Sequence, residues 1–147
     1  MMTEWGGLAG RIVDGRHVLP VRVYYEDTDA GGVVYHANYL KFCERARTDC
    51  LRLLGIHQSQ MPDAFFVVRR MTCDFLRPAR LDDLLEVETR FVAMGGARLE
   101  LDQKVTCKGE ALFTAAVTVA LIDGRGRPKR LPPEVAVAVK GFGGRSG

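Results

Sequence analysis

One amphipathic segment, Tyr35–Leu54, constrains the fold more than any other stretch of the 147 residues. Tyr39, Phe42, Cys43, Ala46, Cys50, Leu53 and Leu54 recur at three- and four-residue steps, while Lys41, Glu44, Arg45, Arg47, Asp49 and Arg52 take the opposite face. That is the period of a helix with one buried side. Gly55 then supplies a C-terminal stop. A helix of about 19 residues is roughly 28 Å long at 1.5 Å per residue, enough to lie along a whole sheet.

The remainder reads mostly as strand. Val18–Glu26 alternates Val21, Val23 and Tyr25 with Arg22, Tyr24 and Glu26, and Pro20 favours an edge or a strand start. Phe65–Leu76, Leu84–Val92, Arg98–Cys107 and Glu110–Ile122 follow, with turns at Gly95-Gly96 and Lys108-Gly109. The last carries Phe113, Ala115, Val117, Val119 and Leu121 on one face and small Ala and Thr on the other, as expected of a central strand. Asp123–Pro133 is a Gly/Pro/basic loop, and Glu134–Lys140 suits a short strand or helix. One long helix followed by a meander of about four strands implies an α+β fold, an antiparallel β-sheet wrapped around one helix. A sheet of that kind has open edges, which favour a homo-oligomer.

Residues 16–140 make one domain, with a loose leader at Met1–Gly15 and a loose tail at Gly141–Gly147. Nearly half the residues, 47%, are hydrophobic and 27% charged, which excludes a disordered chain. No apolar run approaches the roughly 18–20 residues that span a bilayer, so an integral membrane protein is not expected. The leader lacks the cationic start and apolar core of a signal peptide. Cys43, Cys50, Cys73 and Cys107 form no C-x-x-C pair, which suggests small buried thiols in the cytoplasm. His17, His36 and His57 stand at no ligand spacing from one another or from a cysteine, so no metal is expected. Net charge is only +3, but Arg69-Arg70, Arg77 with Arg80, and Arg125, Arg127, Lys129 and Arg130 are locally basic. Without interleaved aromatics they suit surface charge or a phosphate-bearing ligand rather than nucleic acid.

The chemistry concentrates just before the helix, in Tyr25-Glu26-Asp27-Thr28-Asp29-Ala30-Gly31-Gly32-Val33-Val34-Tyr35-His36-Ala37-Asn38-Tyr39. A strand delivers a carboxylate to the start of a helix, where backbone N–H groups are unpaired and the dipole is positive. Such a site can hold a polarised carbonyl beside a base. Asp29 is the candidate base. Gly31-Gly32 lets a substrate approach the backbone closely. Asp27 is a second carboxylate, placed to orient the loop or to act on Asp29 by repulsion. His36, in the first helical turn, can donate a hydrogen bond. Tyr25 can steer the acid. Asn38 suits a helix start or a role in fixing the loop.

The run Tyr25-x-x-x-Asp29-x-x-Gly32-x-x-x-His36-x-Asn38-Tyr39 resembles the signature of hotdog-fold acyl-CoA thioesterases of the 4-hydroxybenzoyl-CoA thioesterase type. Phe42-Cys43-Glu44-Arg45-Ala46-Arg47, Phe66-Val67-Val68-Arg69-Arg70-Met71 and Pro78-Ala79-Arg80-Leu81-Asp82-Asp83 narrow the resemblance to the Tol–Pal-associated acyl-CoA thioesterase subgroup. It covers about Val18 to Pro133. The resemblance implies a hotdog dimer, commonly paired into tetramers, that hydrolyses acyl-CoA without a cofactor. It implies a catalytic set of Asp29, as general base or nucleophile, with His36 and Tyr25. The helix-start amide would polarise the thioester carbonyl. Gly32, Asn38, Arg98, Lys129 and Arg130 form the substrate-binding set, and an acyl carrier protein is a further candidate partner. Ala30 stands where the 4-hydroxybenzoyl type has proline after the acid. That type also has basic residues at the turn matching Gly95-Gly96, where only Arg98 is near.

Two other readings fit the same residues. A non-catalytic acyl-CoA or acyl-carrier-protein binding module would use the basic 125–130 loop without turnover. A hotdog hydro-lyase would also use a His and a carboxylate, but its His usually precedes the acid along the chain, and here Asp29 comes first.

Overall fold

A computed structural model describes residues 5–143. The strands are β1 (Arg11–Val13), β2 (Arg16–Arg22), β3 (Phe65–Phe75), β4 (Leu84–Gly95), β5 (Arg98–Cys107) and β6 (Glu110–Ile122), and the helices are α1 (His36–Leu53) and α2 (Pro133–Gly143). All six strands form one antiparallel sheet in the order β1-β2-β4-β5-β6-β3. The helix α1 lies against this sheet, an α+β hotdog arrangement.

The period of α1 sets its buried face. Phe42, Cys43 and Ala46 are fully buried against inward-facing Leu85, Val87, Val105, Val117 and Leu121, and Cys50 is fully buried further along the helix. Burial pushes the Cys43 and Cys50 thiols up to about 12, which leaves them protonated packing groups. At the N-terminal end of α1, Tyr39 stacks on Phe113 at 5.1 Å, and its hydroxyl oxygen accepts the Ala79 N–H at 3.0 Å. The polar tip of the ring is thereby satisfied inside the core.

Turn chemistry closes the central hairpins. Lys108 and Gly109 both have positive φ, 53° and 84°, the mirror-image turn that suits a two-residue hairpin loop. The β4–β5 turn is one residue later than expected. Gly95 still pairs with Arg98, and Gly96 and Ala97 make the turn.

Several expectations are corrected. The first main strand ends at Arg22, not Glu26, and Tyr25–Asp27 is a single 3-10 turn. The Asp27 side chain accepts the Tyr24 N–H at 2.9 Å and the Asp27 N–H bonds Tyr24 O at 3.0 Å, so local bonds replace ladder bonds there. The strands do not run as a simple meander. Only β4, β5 and β6 do, while β3 crosses to the far edge beside β6. Part of the leader is ordered, since Arg11–Val13 pairs with Arg16–Val18. The segment expected as strand or helix at Glu134–Lys140 is helical and runs on to Gly143, into the segment read as a tail. Met1–Glu4 and Gly144–Gly147 lie outside the described residues.

A buried imidazole holds the ordered leader down. His17 is 0% exposed, and its Nε2–H donates to Ala9 O at 2.7 Å. Among the described residues its Nδ1 is buried without a partner. Between them, Gly10 passes so close to Val18 that an added Cβ would collide with the Val18 carbonyl oxygen. Burial pulls the His17 pKa below its ordinary 6.5. The folded state therefore favours the neutral ring, and the unfolded chain takes up the proton first as pH falls. The contribution of His17 to stability should be constant above about pH 7 and fall below about pH 6.5, by on the order of 1 kcal/mol per unit of pKa difference. Urea unfolding midpoints at pH 8 and pH 5.5 test this. His17→Gln should flatten the difference between them, and an unchanged difference would refute the assignment.

Candidate active site

The site loop is built on Asp27. This carboxylate is 5% exposed. Its Oδ2 accepts the Tyr24 N–H at 2.9 Å, its Oδ1 accepts the Asn38 amide at 2.8 Å, and its backbone oxygen accepts the Tyr35 N–H at 2.9 Å. One residue thus ties the end of β2 to the start of α1. Asn38 is buried and its amide is engaged by Asp27. It fixes the loop, the second of the two roles its position allowed.

Between these anchors the chain makes a tight hairpin. Thr28 bridges Val34, Val33 bridges Arg80, and Val34 N–H bonds Ala79 O at 2.8 Å. At the tip, Gly32 N–H bonds Asp29 O at 3.0 Å, and Asp29 N–H bonds Val33 O at 2.9 Å. Gly32 has φ +81°, and a Cβ added to it would meet nothing within 4 Å. The glycine is needed for its backbone conformation rather than for close packing. Asp29 sits exposed at the head of this turn, and its Oδ1 accepts the Gly31 N–H at 2.8 Å. Asp27 lies in the 3-10 turn rather than on an extended run with Asp29, so the two carboxylates have separate jobs.

The start of α1 is uncapped. Tyr35 holds the cap position with no side-chain bond, and the first turn contains no acid. Among the described residues, the His36 and Ala37 N–H groups make no hydrogen bond. Beside them is an open groove of about 290 Å³ lined by Val34, His36, Tyr39, Phe75 and Pro78. His36 packs against Phe75 with ring centroids 6.2 Å apart. The structure therefore brings His36 and two free amides to one apolar groove. Asp29 occupies the adjoining turn outside the groove lining, and Tyr25 is 81% exposed on the 3-10 turn. Unpaired amides at a helix start can accept a developing oxyanion.

The basic candidates separate. Lys129 Nζ donates to Asp63 O at 2.9 Å and holds the 62–63 loop, while Arg130 is exposed. The neighbouring loop is organised by Asp123, which accepts the Arg127 and Arg125 N–H groups and pairs with the Arg127 guanidinium. Hydrogen bonds from Arg127 hold its carboxyl below the ordinary value. Arg98 pairs with Glu100 at 2.9 Å and lines a separate open hollow of about 610 Å³ together with Arg69 and Arg70. Strand alternation would put Arg69 and Arg70 on opposite faces, but β3 bulges between Val68 and Arg70. The sequence displays the pair of arginines, while the bulge that turns both into one hollow leaves no mark in it. Among the described residues, no group of three or more His, Cys, Asp or Glu side chains gathers to hold a metal.

Comparison with known proteins gives the family of the chain. A family model described as the thioesterase superfamily matches residues 31–114. The acyl-CoA thioester hydrolase YbgC of Escherichia coli O6:H1 is 46% identical over 125 residues, covering 82% of this chain and 93% of that protein. The acyl-CoA thioesterase YbgC of Haemophilus influenzae is 45% identical, covering 86% of this chain and 96% of that protein. A solved thioesterase from Thermus thermophilus, in complex with coenzyme A and Zn, superposes with a TM-score of 0.78 at 30% identity, covering 87% of this chain and 94% of its own. Matched over more than half its length, from the site turn through the first half of β6, the chain belongs to the thioesterase superfamily.

Proposed function

We propose that this protein hydrolyses acyl-CoA thioesters to a free acid and CoA. The observation that carries the reading is the uncapped start of α1, two unpaired amides beside a groove and one turn away from an exposed aspartate. The YbgC relatives support the substrate class. In the reading proposed, the thioester oxygen lies against the His36 and Ala37 amides. Water attacks the carbonyl carbon as Asp29 takes its proton, or the Asp29 carboxylate attacks first and water then cleaves the anhydride. The tetrahedral oxyanion is held by the amides. The C–S bond breaks, CoA leaves as thiolate, and a proton restores its thiol. His36 positions the acyl group from the groove, and Tyr25 orients Asp29. Gly32 keeps the turn open to the substrate, with Asn38 acting through Asp27.

Arg98, with Arg69 and Arg70, supplies guanidinium donors suited to the CoA phosphates. Lys129 and Arg130 are secondary candidates. We place the chain in the Tol–Pal-associated subgroup on the strength of its Phe42–Arg47 and Phe66–Met71 blocks. The four unpaired cysteines suit the cytoplasm, and no helix among the described residues is long and apolar enough to cross a membrane. An acyl carrier protein would present the same thioester.

The site calls for a second copy. β3 is an edge strand of 11 residues with Phe65 and Phe75 each 53% exposed and Val68 46% exposed. A long apolar edge of this kind invites pairing. A second β3 along it would cover Phe75 and the open side of the His36 groove, giving a dimer or a tetramer of such dimers.

Two experiments test the proposal. With an acyl-CoA panel and free-thiol detection, Asp29→Asn should lose at least about 10²-fold in kcat with an unchanged melting temperature. Asp27→Ala, which strips two bonds from a buried carboxylate, should lower stability by about 2–4 kcal/mol. Turnover by Asp29→Asn equal to the parent on every thioester would sink the mechanism. Separately, sedimentation should show a dimer or tetramer at micromolar concentration, with specific activity falling as dilution produces monomer. A fully active monomer would exclude the shared site.

A further inference from the structure

A third cavity, of about 170 Å³, lies under the C-terminal half of α1 and shares no lining residue with the His36 groove. Leu51, Phe66, Phe91, Leu99, Leu101 and Val119 give it an apolar floor, while Glu44, Arg47, Thr48 and Gln58 form a polar collar. Its size matters, since a cavity of about 150 Å³ already accepts benzene.

Arg47 is the unusual member of the collar. Its Nη1 donates to Gln103 Oε1 at 3.0 Å. Gln103 is buried, and its own amide donates to Cys43 O at 3.0 Å and Thr89 Oγ1 at 2.9 Å. This network fixes the guanidinium in place but uses one of its five donors. Among the described residues Arg47 forms no ion pair. Burial pulls its pKa below the ordinary value, and Glu44 opposes that from nearby without bonding to it. A half-buried cation with unused donors therefore faces a space large enough for a ring or a short chain.

The cavity and the candidate active site lie along one stripe. His36, Leu40, Glu44, Arg47 and Leu51 follow one another at steps of four, four, three and four residues, which is one face of a helix. β3 runs beside this face in the opposite direction. Phe75 meets His36 at one end, and Phe66, Val67 and Val68 wall the cavity at the other. Arg47 is 11 residues beyond His36, about 16 Å along the axis at 1.5 Å per residue, the reach of an extended chain of about 14 carbons.

We infer that Arg47 is a specificity-determining residue: the cavity receives the far end of the acyl chain, and Arg47 selects a chain that ends in a hydroxyl over one that ends in a methyl. The inference rests on the thioesterase reading. A methyl end entering the collar displaces water from the guanidinium and returns no hydrogen bond. A hydroxyl accepts from Arg47 and can donate to Glu44 or Thr48, so both signs of the collar are met. A site built around a buried donor discriminates sharply against the analogue that lacks the matching group.

The test compares tetradecanoyl-CoA with 14-hydroxytetradecanoyl-CoA in the full-length protein. The wild type should favour the hydroxylated chain by about tenfold or more in kcat/KM, the scale of a hydrogen bond to a charged group. Arg47→Met keeps the length of the stem and removes the donors, and should abolish the preference. A wild type that treats the pair alike overturns the inference, whether or not the variant folds. So does an Arg47→Met protein that keeps the preference. Calorimetry with the two non-hydrolysable thioether analogues separates this from the proposed activity. Tighter, Arg47-dependent binding of the hydroxylated analogue without turnover of either thioester would keep the pocket and reject the hydrolase. Turnover of both thioesters with equal analogue affinities would do the reverse.

Discussion

The buried Asp27 carboxylate is the interaction on which the rest of the site depends. It satisfies a backbone N–H at the end of β2 and a side-chain amide on α1, and its own backbone carbonyl takes the amide of Tyr35. Without these bonds the chain between sheet and helix would keep the Thr28–Val34 and Val33–Arg80 bridges and the Val34–Ala79 bond but lose the links that Asp27 makes to the start of α1. With them the turn bearing Asp29 is held against the helix start, and the Asp29 carboxylate needs no structural task beyond its own turn. Two acids two positions apart in sequence thus divide the work. The inner one sets geometry, and the outer one stays available for chemistry.

The same division runs through the helix. α1 gives up the stability of a side-chain cap at Tyr35, a feature commonly worth about 1 kcal/mol. Its placement comes instead from Phe42, Cys43, Ala46 and Cys50, which are fully buried, and from Tyr39 locked between Phe113 and the Ala79 amide. Packing along the body of the helix lets its first turn remain open. That is the physical condition for a helix start to bind something other than its own chain.

What is legible in the sequence follows from how local each determinant is. The α1 period, the bounds of β5 and β6, and the Lys108-Gly109 turn depend on neighbouring residues, and all are readable. The end of β2 is not, because Asp27 bonds back to Tyr24 and cuts off a strand that its alternation would extend. The place of β3 is not, because pairing with β6 is a choice among distant partners. Asp29, His36 and an open helix start are legible as a motif, whereas which amides stay unpaired, those of His36 and Ala37, emerges only with coordinates. Arg69 and Arg70 are visible as charges, but a single bulge gives them a common side. The network of Arg47, Gln103 and Thr89 joins three elements, and no periodicity of one segment announces it.

The crossing of β3 to the far edge also sets the order in which the sheet can assemble. β4, β5 and β6 are joined by two-residue turns and pair with sequence neighbours. The outer pairings span far more chain: β3 meets β6 with Phe65 opposite Ile122, and β2 meets β4 with His17 opposite Thr89. Closing so long a loop is entropically unfavourable until the central hairpins offer a template. β3 and β2 therefore add after the central hairpins, and among the described residues one side of β3 has no strand partner. In the dimer proposed above, the open side of β3 is a ribbon whose register β6 has already fixed, so that pairing of two chains follows the folding of each.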